Sequence, residues 1–332
     1  DVGEPGIERE DGVTVLPAPD ELVDEGRAAG GDGDELWHAV ERTQPGDEAG
    51  PGRRGAGMIL PISTSTPPSG LALWLAGSRP KTLPAAVVPV AIGTAAAVGE
   101  GGIIWWRAVA ALIVSLAIQV ATNFANDYSD GVRGTDDDRV GPLRLTGSGL
   151  VEPRRVKYAA IGSFGIAAIA GLALAAAVGW ELLVVGAISF VAGWTYTGGP
   201  KPYGYLGLGE VFVFVFFGLV ATLGSMWVQV ERLTAVAWGG AVVAGLLATA
   251  LLVTNNLRDI PTDAVTGKRT LAVRIGDRAT RLLFVGMLVA AFVVVAVVAA
   301  ARPPAAIALL AAPLAIPPRR VVLRGATGLA HV

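Results

Sequence analysis

Between residues 83 and 316 the apolar residues gather into eight long runs, and this one feature narrows the possible folds more than any other. The runs are roughly 83–98, 103–124, 158–178, 182–197, 210–230, 234–254, 282–300 and 303–316. A helix needs about 20 mostly apolar residues to cross a bilayer. Lipid offers no partner for backbone N–H and C=O groups, so a spanning segment must satisfy its own, as a helix does. The expectation is an all-α, polytopic transmembrane helical bundle with about eight crossings, of which the first and last are the shortest.

Chemistry is limited by what the chain lacks. There is no cysteine, and the two histidines, His38 and His331, lie outside the apolar region. Disulfides, thiolate catalysis, a Ser-His-Asp triad and a histidine-ligated metal are all disfavoured. A metal site would have to be built from oxygen, which favours hard cations such as Mg²⁺, with Mn²⁺ as the alternative. No Walker-type phosphate loop occurs, and no nucleic-acid partner is expected.

The net charge of −2 conceals a division. Residues 1–60 carry 15 acidic and 5 basic side chains, are rich in Gly and Pro, and show no sustained apolar period. They read as a disordered acidic extension that is not necessarily native, since Met58 stands just before the apolar region. Residues 71–325 form the membrane domain, followed by a short tail, 326–332. Within the domain, alternate loops collect the basic residues. If the segment before the first run lies inside, 18 Lys and Arg fall on inside segments. Only Arg107, Arg232 and Arg302 fall outside. That bias orients the chain in a cell membrane with loops 125–157, 198–209 and 255–281 facing the cytoplasm.

Those inside loops hold the polar motifs. The second run leads into Asn123, Asn126, Asp127 and Asp130, spaced to share one helical face, then Gly131 and Gly134, then Asp136. The glycines permit a turn that could carry Asp136 back towards that face. Asp137 and Asp138 read as solvated neighbours. The sixth run ends in Asn255, Asn256, Arg258, Asp259 and Asp263, with Lys268 and Arg269 beyond. Pro261 interrupts the helix there, so proximity is expected rather than a regular stripe. Acids at the edge of a membrane span are costly and usually functional. Mg²⁺ takes one or two carboxylates and completes its shell with water and phosphate. Acids for a cation, interleaved with Lys and Arg, therefore point to a diphosphate ligand.

At these residues the chain resembles the UbiA superfamily of intramembrane prenyltransferases. Asn126/Asp130 match its first motif and Asp259/Asp263 its second. The stretches Arg79-Pro80-Lys81-Thr82-Leu83-Pro84, Asn126 to Leu150, Tyr196 to Tyr203 and Asn255 to Gly276 follow in the same order. They are most similar to the branch that prenylates 1,4-dihydroxy-2-naphthoate in menaquinone biosynthesis. The resemblance implies nine helices around a cavity open to lipid. No ninth run is visible after Arg324, so the last helix is expected to be missing.

The resemblance further implies Mg²⁺ held by Asp127, Asp130, Asp136, Asp259 and Asp263. Asn126, Asn255, Asn256, Arg139, Arg144, Lys201, Arg258, Lys268 and Tyr196 would bind substrate, with Asp130, Asp259 and Lys201 closest to the chemistry. A polyprenyl diphosphate would ionise to an allylic cation flanked by Trp194, Tyr196 or Phe124. The naphthoate ring would capture that cation with loss of carbon dioxide and diphosphate, giving demethylmenaquinone. Arg79 and Lys81 read as interfacial anchors. A cation-coupled carrier would instead place its acids at the bilayer midplane. Prenyl chain length and oligomeric state are not legible.

Overall fold

The computed structural model describes residues 9–10, 13–14, 68–135 and 142–324. The chain divides into two compact units, 1–64 and 65–332. In the first, β1 (Arg9–Glu10) pairs antiparallel with β2 (Val13–Thr14). The rest of residues 1–60, the stretch expected to be disordered, lies outside the described residues.

Every regular element among the described residues of the second unit is a helix. It comprises α1 (Gly70–Gly77), α2 (Pro84–Val98), α3 (Trp105–Val132), α4 (Pro153–Ala177) and α5 (Glu181–Thr195). These are followed by α6 (Gly209–Val230), α7 (Ala235–Arg258), α8 (Ile260–Val265), α9 (Leu271–Ala301) and α10 (Ile316–Leu323). Among the described residues, six helical segments are long and apolar enough to cross a membrane: α3, α4, α6, α7, α9 and Pro303–Leu323. The pair Gly70–Thr82 and Pro84–Val98, bent by 54°, makes a seventh if counted as one span. At 15 residues, α5 is apolar but shorter. Each of the eight expected runs thus falls on a helical element, and the chain is a multi-pass membrane protein.

Local irregularities follow from sequence. A left-handed backbone at Arg79 (φ 56°) separates α1 from the 3-10 turn Pro80–Thr82 that leads into α2. Residues Pro303–Ala315, expected to form an ordinary span, adopt a 3-10 helix. Pro303, Pro304 and Pro313 remove backbone donors there. Within α6, Phe214–Val220 is a π-helical turn, a feature common at functional sites.

Lipid is as apolar as leucine, so helices in a bilayer associate by close packing and polar contacts instead of hydrophobic burial. Gly218 of α6 lies directly against Gly245 of α7: a Cβ at Gly218 would come within 2.5 Å of the Gly245 Cα. Gly93 of α2 meets the Thr222 carbonyl in the same way. The end of the bundle away from the acid motifs is tied by the three arginines assigned to the outside. Arg107 donates to the carbonyls of Val228 and Ala177, while Arg232 and Arg302 both pair with Glu100.

Candidate active site

The C-terminal ends of α3, α5 and α7 and the N-terminal end of α9 meet at one end of the bundle, over a cavity of about 920 Å³. Both arms of the first motif are buried, but they do different work. One α3 residue turns about 100° from the next, so Asp127 and Asp130 leave the helix on nearby but distinct bearings. Asp127 accepts from the backbone N–H groups of Leu145 and Thr146 at 2.6 and 2.8 Å, through separate oxygens. It thereby pins the returning loop onto α3. Gly131 allows the same approach, because any Cβ there would strike the Thr146 side chain.

Asp130 faces the cavity. Its Oδ1 accepts from the Tyr205 hydroxyl at 2.9 Å. Its Oδ2 lies 3.6 Å from Lys268 Nζ and 3.8 Å from an Arg144 nitrogen. Lys268 Nζ is also 3.9 Å from Asp263 Oδ1. One ammonium thus spans the acids of the two motifs, although more than 100 residues separate them in sequence. The turn that places it is set by the Asp259 cap ending α7, by Pro261 opening α8, and by the Lys268 N–H bonding the Asp263 carbonyl at 2.8 Å.

Asp259 is held by the Arg258 guanidinium, which donates to both carboxylate oxygens at 2.8 and 3.1 Å. Asn126 accepts from the Thr197 hydroxyl at 2.7 Å. Asn256 donates to Glu210 at 2.9 Å. Tyr205 stands between two cations, with Lys268 Nζ 5.2 Å and the Arg133 guanidinium 5.4 Å from its ring centre. Arg133 in turn binds the carbonyls of Thr197 and Gly199. Burial, and then the charge of Asp130, push the Tyr205 hydroxyl up to about 12, so it serves as a neutral donor.

Below this polar end the cavity wall becomes aromatic. Tyr203 stacks on Phe212 at 3.9 Å and meets Tyr196 edge-on at 5.5 Å. Phe190, Phe216 and Phe217 continue the wall, and small residues of α4 and α5, including Gly171 and Gly186, leave room opposite. The result is a charged mouth on a long apolar pocket. Among the described residues no three His, Cys, Asp or Glu side chains form a metal cage. Two carboxylates sharing one cation are instead suited to a divalent ion that brings further oxygens with its ligand.

A family model described as the UbiA prenyltransferase family matches residues 86–328. The chain belongs to the UbiA prenyltransferase family. A protein of Mycobacterium tuberculosis named 1,4-dihydroxy-2-naphthoate octaprenyltransferase is 50% identical over 257 residues, which is 77% of this chain and 88% of that protein. An Escherichia coli protein of the same name is 40% identical over 268 residues, covering 76% and 85%. A solved structure of a UbiA homolog from Archaeoglobus fulgidus, bound to GPP and Mg2+, has the same fold. Its TM-score is 0.53 at 14% identity, with 68% of this chain and 77% of that one covered.

In this UbiA prenyltransferase the structure brings Asn126, Asp130, Arg144, Tyr196, Asn255, Asn256, Arg258 and Lys268 to the cavity. Asp259 and Asp263 are buried beside it. Asp136 and Arg139 lie outside the described residues, as do Asp137 and Asp138. Four expectations need correction. Lys201 is exposed and does not line the cavity, because the Gly198-Gly199-Pro200 turn (Gly199 φ 79°) directs the chain outward before it. Asp127, expected to face a metal, has both oxygens engaged by backbone. Phe124 and Trp194 pack into an apolar cluster with Leu145 and Val156, away from the cavity, and Tyr203 and Phe212 take the place expected for them. Arg79 and Lys81, read as anchors, line the cavity instead. Tyr205 and Arg133 escaped sequence reasoning because only the folded loop brings Tyr205 to Asp130 and the Thr197 and Gly199 carbonyls to Arg133. The one available cue was an additional tyrosine just past the Pro-Lys-Pro turn.

Proposed function

We propose that this UbiA prenyltransferase transfers a polyprenyl group from polyprenyl diphosphate to 1,4-dihydroxy-2-naphthoate. It works in a bacterial cell membrane, with its charged mouth at the cytoplasmic face. The observation that carries the reading is the pairing of Lys268 with acids from both motifs, over an apolar pocket with an aromatic wall. The names of the mycobacterial and enterobacterial relatives supply the acceptor. The basic residues at the acid end support the orientation.

Asp130 and Asp263, with Asp259 alongside, would hold Mg²⁺, consistent with the Mg2+ in the archaeal homolog and with the hard oxygen donors present. Bound there, Mg²⁺ would supply positive charge to the diphosphate. The protein's own cations do the same from the other side. Lys268, Arg144 and Arg258 lie at the pocket mouth, where charge-assisted hydrogen bonds to diphosphate oxygens stabilise the charge that builds as the allylic C–O bond breaks. The carbon left behind faces Tyr196, Tyr203 and Phe212, whose ring faces stabilise a cation. The apolar pocket keeps water from quenching it. The electron-rich naphthoate ring attacks, forming a C–C bond at the carbon that bears the carboxylate. Carbon dioxide leaves from that carbon, giving the prenylated naphthoquinol, whose oxidised form is demethylmenaquinone.

The test is direct. Membranes carrying the chain are incubated with 1,4-dihydroxy-2-naphthoate, Mg²⁺ and polyprenyl diphosphates of several lengths, and the lipid product is weighed by mass spectrometry. A decarboxylated, prenylated naphthoquinol is expected. Prenylation of 4-hydroxybenzoate in preference, or no product, would overturn the reading.

A further inference from the structure

Glu210 is an acid that the proposed chemistry does not use. It is the second residue of α6, 5% exposed, inside a segment apolar enough to span the membrane. It does not line the cavity. Its Oε1 accepts from Asn256 Nδ2 at 2.9 Å, and its Oε2 has no hydrogen-bond partner among the described residues. Its backbone carbonyl faces the Thr249 hydroxyl at 3.5 Å. A buried acceptor left without a partner costs stability, and an acid in a membrane span costs more. An aliphatic pair at positions 210 and 256 would pack without either cost, so fold stability alone does not account for these two polar residues.

What Glu210 does is hold Asn256 in one orientation. A carboxamide has a donating end and an accepting end. Asn256 presents Nδ2 to Glu210 Oε1, which turns its Oδ1 away. Asn256 does line the cavity, between Asn255 and Arg258 and beside the aromatic wall. We infer that Glu210 is a positioning residue that makes Asn256 Oδ1 a dedicated acceptor for a hydroxyl group of the aromatic co-substrate. The inference rests on the prenyl-transfer reading and adds an acceptor subsite to it. The alternatives within the cavity do not suit a carbonyl oxygen. The diphosphate offers only acceptors and the prenyl chain offers no polar group, so among the organic groups only the phenolic hydroxyls donate.

The experiment measures kcat, KM for dihydroxynaphthoate, KM for the prenyl diphosphate and the Mg²⁺ requirement. It compares wild type with Glu210→Gln, Glu210→Leu, Asn256→Asp and the double variant Glu210→Gln/Asn256→Asp. Glu210→Leu should raise the naphthoate KM by about tenfold or more, with the diphosphate KM within about twofold, since one oriented hydrogen bond is lost. Glu210→Gln still offers Oε1 to Asn256 and should keep the naphthoate KM within about threefold of wild type. Asn256→Asp sets two carboxylates against each other, and adding Glu210→Gln should restore most of the loss, because the glutamine amide can donate to the carboxylate introduced opposite it. An unchanged naphthoate KM in Glu210→Leu would overturn the inference. So would a shift confined to the diphosphate KM or to the Mg²⁺ requirement, or a Glu210→Gln as impaired as Glu210→Leu. If Glu210→Leu does not accumulate in membranes, the Asn256→Asp pair decides, and failure of the second change to rescue the first overturns it. A wild-type protein that makes no prenylated naphthoquinol would remove the underlying reading instead, and that result precedes any variant.

Discussion

The Tyr205 hydroxyl donates a 2.9 Å hydrogen bond to Asp130 Oδ1. This contact ties the loop after α5 to Asp130 itself, and it leaves Oδ2 for the cations Lys268 and Arg144. Losing the hydroxyl in Tyr205→Phe removes a hydrogen bond to a buried charge. Turnover should fall roughly 5- to 30-fold, or about 1–2 kcal/mol. Because burial and Asp130 raise the hydroxyl to about 12, it stays protonated across the neutral and mildly alkaline range. Wild type and Tyr205→Phe should therefore share the same alkaline limb in a pH–rate profile. A limb present in one and absent in the other would show that Tyr205 titrates in the working range.

Two lysines that look equivalent in sequence should behave differently. Lys268 bridges Asp130 and Asp263, whereas Lys201 is exposed. Lys268→Ala should raise the KM for prenyl diphosphate at least about tenfold, as loss of a partly buried charge-assisted contact does. Lys201→Ala should stay within about twofold of wild type, as solvent-exposed charges contribute little. Steady-state kinetics on both variants would check this, and a Lys201→Ala as impaired as Lys268→Ala would return Lys201 to the site.

Asp127 should prove a matter of stability. Its carboxylate takes two backbone N–H groups, and Asp127→Ala leaves both without their partner. The expected loss is about 2–4 kcal/mol, read as a lower thermal midpoint in detergent. Asp130→Asn should do the reverse, abolishing most turnover while moving the midpoint little. Equal midpoints for Asp127→Ala and wild type would contradict the anchoring role.

The glycine contact between α6 and α7 sets a steric limit. Gly218→Val would drive a branched side chain into the Gly245 backbone, which cannot move aside, and should destabilise by several kcal/mol (about 3 or more). At Gly186 a Cβ would meet nothing within 4 Å, so alanine should be accepted there without loss of folded yield. Fluorescence-detected size exclusion of the two variants would separate these outcomes.

The all-helical class, the order of the apolar segments, and the placement of Arg107, Arg232 and Arg302 at one end and the acid motifs at the other were legible in the sequence; the span count was not, since about eight were expected and six or seven segments qualify among the described residues. Spanning is a local property: a run of apolar residues must become a helix because lipid leaves its backbone no other partner. Helical spacing and a membrane edge already marked Asn126, Asp130, Asp259 and Asp263 as costly residues in the sequence. Which charges actually meet was a matter for tertiary structure alone. Asp127 and Asp130 are three positions apart, yet one grips a loop and the other faces the pocket. Lys201 and Tyr205 share a loop, yet the turn at Gly199 and Pro200 sends the lysine out while the 3-10 turn at Tyr203–Leu206 carries the tyrosine in. The same holds for Glu210, which nothing in its own neighbourhood of sequence connects to Asn256. Local pattern determines where helices form. The direction of a side chain at a loop or helix end depends on backbone turns and on partners distant in the chain, and these exist only once the bundle has assembled.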